Sequence, residues 1–206
     1  MNKLILHIGQ GKTGSSYLQS ILANNISKLK ANGINYPKPK DFIKAKKGFI
    51  TSGNGHRFLN KEGKINFVDF KDETILFSDE TFLVRLISNK EFINIINTKF
   101  SKVKVILFTR NLFEHEFSVW GQLIKRHECT LDLNDYFTQN HKSKTYELVK
   151  KWIILSKKSN FELKLLNYSN HKNHLYDSFL KEIMLNKPSL SDFHIPSQKI
   201  NRSLNL

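Results

Sequence analysis

The sequence predicts an α/β fold of three layers, a central parallel sheet flanked by helices, and two observations carry that expectation. Short apolar runs of strand length alternate along the chain with longer stretches whose apolar residues recur at helical spacing. The strand-like runs are apolar almost throughout, as strands covered on both faces are. A chain of 206 residues is long enough to bury a sizeable core. No linker or internal repeat divides it, so residues 1–206 read as a single domain.

The elements follow in order. Lys3 to Ile8 is a first strand, stopped by Gly9. Residues 15–32 read as a helix, because Tyr17, Leu18, Ile21, Leu22, Ile26 and Leu29 fall on one stripe and Gly33 is a natural stop. Residues 38–55 are rich in Lys, Gly and Ser and read as a long basic loop. Thr74 to Ser78 is a second strand, followed by a helical stretch over 82–100. Residues 103–109 are the clearest strand in the chain. Helices are expected over 112–126 and 141–158, then a strand over 161–168 and an amphipathic helix over 172–185. Strands joined through helices in this way pair in parallel.

Lys and Arg number 33 against 18 Asp and Glu, a formal charge of +15. Hydrophobic residues at 39% and aromatics at 12% are too many for a disordered polycation. A folded domain this basic predicts an anionic partner. Arg is scarce, at positions 57, 85, 110, 126 and 202 only. Each therefore draws attention, since the guanidinium fork grips phosphate in a bidentate way. With Cys129 as the single cysteine, neither an intrachain disulfide nor a cysteine zinc cluster is expected. The first apolar run is too short for a signal segment or a membrane span, so the expected location is cytoplasmic, without stable membrane insertion.

Gly9-Gln10-Gly11-Lys12-Thr13-Gly14-Ser15-Ser16 lies between the first strand and the first helix. Backbone N–H groups there converge on an anion, helped by the helix N-terminus. Three phosphate-binding patterns compete for it. Gly9, Gly11 and Gly14 satisfy the G-x-G-x-x-G of dinucleotide sites, but residues 31–37 lack the acidic partner for the ribose. Gly9, Gly14 and Ser16 fit a Walker A loop, with Ser15 at the Lys position and the Lys displaced to Lys12. That is the reading of a nucleotide-dependent kinase or NTPase. In the third, Lys12-Thr13-Gly14-Ser15-Ser16 resembles the K-S/T-G-S/T-S/T loop of sulfotransferases that use 3′-phosphoadenosine-5′-phosphosulfate (PAPS).

A second motif separates these readings. The strand over 103–109 runs into Arg110, and Ser118 follows eight residues later on the next helix. This pair resembles the Arg and Ser with which sulfotransferases hold the 3′-phosphate of PAPS, a group that ATP lacks. The other reading of Arg110 is an ion pair with Glu114 or Glu116. Residues 34–37, 55–59, 77–80 and 200–204 are similar, with less force, to further stretches of the bacterial carbohydrate-type members. The resemblance implies the P-loop-like sulfotransferase fold and transfer of a sulfuryl group to a hydroxyl, leaving 3′,5′-adenosine bisphosphate (PAP). It implies that Gly11, Lys12, Thr13, Gly14, Ser15 and Ser16 hold the phosphosulfate and Arg110 and Ser118 the 3′-phosphate. Asn201, Arg202 and Ser203 would close over the nucleotide.

The chemistry needs in-line geometry and charge stabilisation rather than a metal, and the sequence offers no convincing metal-ligand cluster. Lys12 is assigned to the bridging oxygen, where charge develops on the leaving group. The acceptor hydroxyl needs a base, and Glu80 at the end of the second strand and His56 in the Gly-rich loop both qualify. Asp79 replaces Glu80 if the neighbouring side chain faces the cleft. Lys38, Lys40, Lys44, Lys46 and Lys47 crowd one loop, which reads as a solvated face or as a clamp for an anionic acceptor. The expected acceptor is a carbohydrate or glycolipid. Nucleic-acid binding is suggested by charge alone, and no recognisable module supports it.

Overall fold

The computed structural model describes residues 2–49, 51–66, 74–127, 129–139, 144–184 and 193–196. Its centre is a five-stranded parallel sheet of β1 (Lys3–His7), β2 (Ile34–Asn35), β3 (Thr74–Ser78), β4 (Lys102–Thr109) and β5 (Glu162–Asn167), in the order β2-β3-β1-β4-β5. β1 is central: Leu4 pairs with Ile75 on one side and Val103 on the other. The connections hold α1 (Ser15–Asn24), α2 (Ile26–Ala31), α3 (Phe42–Lys46), α4 (Phe82–Arg85) and α5 (Lys90–Thr98) in the first half. α6 (Leu112–His127), α7 (Leu133–Gln139), α8 (Lys144–Lys158), α9 (Tyr168–His171) and α10 (Leu175–Ile183) follow. The predicted α/β class and parallel sheet are what the chain forms.

The three layers follow from the two-residue period of the strands. Leu4, Leu6, Ile75, Phe77, Val103, Val105 and Leu107 point to one face and pack under α4, α5 and α8. Ile5, Leu76, Ile106 and Phe108 point to the other and pack under α1, α2 and α10. Each face is apolar, so both strand sides are consumed by the core. On the first face Trp152 of α8 is wholly buried, and its indole N–H donates to the Leu83 carbonyl at 2.9 Å. That bond ties α8 to α4 while satisfying the one polar atom the ring brings inside.

Five features depart from the sequence expectation. The helix expected over 15–32 is two helices, because Asn25 turns the chain with φ −120°. Its side-chain amide donates to Ile21 O and His194 O, and its Oδ1 accepts from His194 N, each at 2.8 Å. An Asn offered such partners competes with helical backbone bonds. The stretch over 82–100 likewise divides into α4 and α5. Asn89 starts α5 by accepting from Phe92 N at 2.9 Å, a side-chain cap. The basic loop over 38–55 houses the short α3. β2 and α7 were not expected: β2 is two residues long, and α7 buries only Tyr136 among its described side chains. The later elements lie within a few residues of expectation, residues 141–143 and 185 falling outside the described residues. No described helix is long and apolar enough to cross a membrane.

Candidate active site

The loop leaving β1 does not fall away from the sheet. Ile8 N donates to Ile106 O at 3.1 Å and Gln10 N to Phe108 O at 3.2 Å, so the loop follows β4 before turning into α1. β1 sends its chain toward β2 and β3, whereas β4 sends its chain toward β5. A crevice at the carboxyl ends of two such strands is where open α/β sheets bind ligands. The Gly9–Ser16 loop and Arg110 both lie there.

The loop is tightly wound. Gly9 has φ 42° and Gly14 φ 80°. A Cβ on Gly9 would stand 2.7 Å from Ser15 Oγ, and one on Gly14 2.4 Å from Leu175 Cδ2, so neither position admits a side chain without a shift. Lys12, at φ 68°, is the one non-glycine residue with positive φ among those described, a strained conformation that the surrounding bonds must hold. Those bonds are on view: the Thr13 hydroxyl donates to Gln10 O, Gln10 Oε1 accepts from Arg110 N at 2.9 Å, and Arg110 Nη1 donates to Lys12 O at 3.4 Å. Thr13 thus spends its hydroxyl proton inside the loop. α1 begins with no side-chain cap and no acidic residue in its first turn, which leaves its N-terminal dipole open to an anion. Ser15 and Ser16 stand there, both buried.

The two neighbouring carboxylates at the end of β3 have different occupations. Asp79 turns back on its own chain, its Oδ1 accepting from Thr81 N and Thr81 Oγ1 at 2.8 Å each. It also fills the space beside Gly55, where a Cβ would stand 2.2 Å from Asp79 Oδ2. Glu80 instead faces the loop: its carboxylate is 3.6 Å from where a Gly11 Cβ would be. Ser15 Oγ lies beside it, near enough to favour its ionised form without reaching hydrogen-bond geometry. Burial pushes the Glu80 carboxyl above its ordinary range, helped by Asp79 and opposed by Ser15 and by the Lys12 charge. Burial also raises Asp79, against its two bonds from Thr81.

Arg110 makes the ion pair that its sequence allows. Its Nε donates to Glu114 Oε2 at 3.1 Å, and the same oxygen accepts from Ser169 Oγ at 3.1 Å. The guanidinium also lies over the Tyr168 ring, 5.5 Å from its centre. Arg110 holds the Glu114 carboxyl below its usual value. Ser118 lies half-buried on α6, and its hydroxyl makes no hydrogen bond to another described residue. Trp120, on the same helix, donates from its indole to Leu131 O at 3.0 Å. His56 is half-buried and close enough to Asp79 for each to act on the other's protonation; burial, first, and Arg57 lower its pKa. Asn201, Arg202 and Ser203 lie outside the described residues.

Several participants had no signal in the sequence. Gln10 clamps the loop to Arg110, and Tyr168 lies against both Arg110 and the Gly14 position. Their roles depend on strands distant in the chain. His7 ends β1, fully buried, with Nδ1 at 2.8 Å from Ser78 Oγ, and only its place in an apolar strand marks it beforehand. Among the described residues, no group of three or more His, Cys, Asp or Glu is placed to hold a metal ion.

No protein-family model matches the chain, and no curated protein matches its sequence. Solved structures do. A sulfotransferase from Alicyclobacillus acidocaldarius superposes with a TM-score of 0.50 at 15% identity, over 96% of this chain and 85% of that one. A retinol dehydratase, in complex with androsterone and the inactive cofactor PAP, gives a TM-score of 0.41 at 9% identity, over 87% of this chain and 57% of that one. The first likeness shows that the chain shares the fold of a sulfotransferase.

Proposed function

We propose that the chain moves a sulfuryl group from PAPS to a hydroxyl of an acceptor, a carbohydrate or glycolipid. The observation that carries this reading is the contact between the two motif halves. Arg110 Nη1 reaches the Lys12 carbonyl, although the residues are 98 positions apart. One crevice therefore offers a loop for one phosphate and an Arg for another. The residues also fit an anion: two glycines without room for a side chain, an α1 N-terminus free of acidic residues, and a buried Ser15 hydroxyl with no hydrogen bond among the described residues.

PAPS, when bound, supplies an activated sulfuryl group on a phosphate. Gly11, Lys12, Gly14, Ser15 and Ser16 hold that end through backbone N–H groups and hydroxyls, with Thr13 stiffening the loop. Arg110 and Ser118 take the 3′-phosphate. Arg110 must exchange Glu114 for it, and an exposed ion pair is a weak competitor. Asn201, Arg202 and Ser203 complete the nucleotide site. As the acceptor oxygen bonds to sulfur and the bridging S–O bond breaks, Lys12 stabilises the charge left on the bridging oxygen. The acceptor proton goes to Glu80, whose raised pKa suits it to receive one and whose carboxylate faces the loop. Asp79, engaged with Thr81, and His56 are the weaker candidates for that base.

Thermal unfolding with PAP, against ATP and Mg²⁺, tests the reading, since a ligand that binds only the native state raises Tm by mass action. PAP without metal should raise Tm, and Arg110→Ala should lose most of that shift. A response to Mg-ATP alone would replace this reading with the kinase or NTPase one.

A further inference from the structure

The surface around α3 carries an arrangement that nucleotide chemistry does not use, and we propose that it docks the protein on an anionic lipid surface. Among the described residues, α3 packs on α1. Ala45 is buried where α3 packs on α1, and the Asn24 amide donates to the Lys46 carbonyl at 2.9 Å. At its end Phe49 N donates to Lys44 O and Gly48 N to Ala45 O, both at 3.0 Å, with Gly48 at φ 78°. This is a Schellman cap, in which the residue after the glycine commonly returns to the flank of the residues three and four from the helix end, here Lys44 and Ile43. Ile43, two positions from the buried Ala45, faces outward. It is 70% exposed and Phe49 is 59% exposed.

Lys38, Lys40, Lys44, Lys46 and Lys47 share this stretch of chain with the pair, all exposed, with Asp41 as its only acidic residue. Lys38 and Lys46 lie over the Phe42 ring at 5.4 and 5.6 Å from its centre. The result is a short apolar knob with a cationic rim, held on a capped helix. A soluble polyanion would satisfy the lysines and leave Ile43 and Phe49 in water. An acidic bilayer takes both, the apolar side chains at the acyl boundary and the lysines among the headgroups. The stretch is tied to the His56 loop: Arg57 Nε donates to the Lys38 carbonyl at 3.3 Å. The proposal stands apart from sulfuryl transfer, because its test needs no nucleotide.

Sedimentation of the full chain with vesicles of phosphatidylcholine, alone or mixed with phosphatidylserine, reads the docking directly. Binding is expected with the mixed vesicles only, and it should weaken as salt screens the lysines. The double variant Ile43→Ser, Phe49→Ser should bind those vesicles about tenfold more weakly, with unchanged thermal unfolding and unchanged retention on heparin. As a second readout, a Phe49→Trp variant should add fluorescence that brominated acyl chains quench. No binding to the mixed vesicles, equal binding by parent and double variant, or no added quenching would overturn the proposal and leave the patch as a surface for soluble polyanions.

Discussion

Glu80 stands between opposed influences, and its environment makes a specific trade between function and stability. Burial and Asp79 raise its pKa, while Ser15 and Lys12 pull it down. The net shift is upward, so the folded protein binds this proton more tightly than the unfolded chain. The stability so gained is present at low pH and falls away as pH rises through the folded pKa. Above the folded pKa the ionised carboxylate is therefore a burden on the fold. Glu80→Gln should raise Tm near pH 7 in a thermal scan while lowering turnover by orders of magnitude. A variant that turned over normally would remove Glu80 from proton transfer. Lys12→Ala should also lose turnover, yet the two lesions differ: Lys12 acts on the leaving group, so an acceptor with a more acidic hydroxyl should help only the Glu80 variant. Asp79 supplies the contrast that makes the choice legible. Its identity and position are as suitable as those of Glu80 in the sequence, and only the two bonds from Thr81 show that it is occupied.

At the scale of elements, the glycines of the β1–α1 turn define how much the loop can change. Gly14 combines φ 80° with a neighbour 2.4 Å from any Cβ, the Leu175 side chain at the start of α10. Gly63 has φ 85° with nothing within 4 Å. Ala at Gly63 pays only for backbone strain, whereas Ala at Gly14 also displaces the end of the Leu175 side chain. Gly14→Ala should cost about 1–3 kcal/mol more than Gly63→Ala, the range for overpacking, in denaturant unfolding. Equal costs would show that Leu175 yields freely. The sequence carried the elements well where their burial is regular. β1, β3 and β4 are apolar runs consumed on both faces, and α6 and α8 formed where helices were expected over 112–126 and 141–158. It failed where a single polar side chain redirects the backbone. Asn25 and Asn89 divide stretches whose apolar period continues across them, and nothing in that period foretells the bonds to His194 or Phe92. α3 and α7 were hidden for a related reason: each buries one described residue, Ala45 and Tyr136, too few for a stripe.

Over the whole molecule, the candidate site was legible as two motifs and illegible as one place. Gly9–Ser16 and Arg110 stand out in the chain because unusual residue types follow strands. That they touch depends on β1 lying beside β4, and the Gln10 and Tyr168 contacts that fix them belong to the assembled sheet. The same assembly places a titratable group at its centre. His7 ends the middle strand, fully buried, its ring edge-on to Phe108 and Phe179 with centroids 6.1 and 5.2 Å away. Burial lowers its pKa from 6.5 to about 4, so the unfolded chain binds this proton and the folded protein resists it. The contribution to stability is intact above pH 6.5 and is lost as pH falls toward 4. At 1.36 kcal/mol per pKa unit that loss is about 3 kcal/mol. Asp79 and Glu80, whose pKa burial raises, gain stability as pH falls and so offset part of the loss. His7→Gln cancels the carboxylates from the comparison, because both proteins carry them. It removes the titration while leaving an amide to meet Ser78 Oγ. Denaturant unfolding at pH 7 and pH 4 should therefore show the parent losing about 3 kcal/mol more than the variant. Parallel losses would mean that His7 takes up its proton without cost, which requires the ring to reach solvent in the native state.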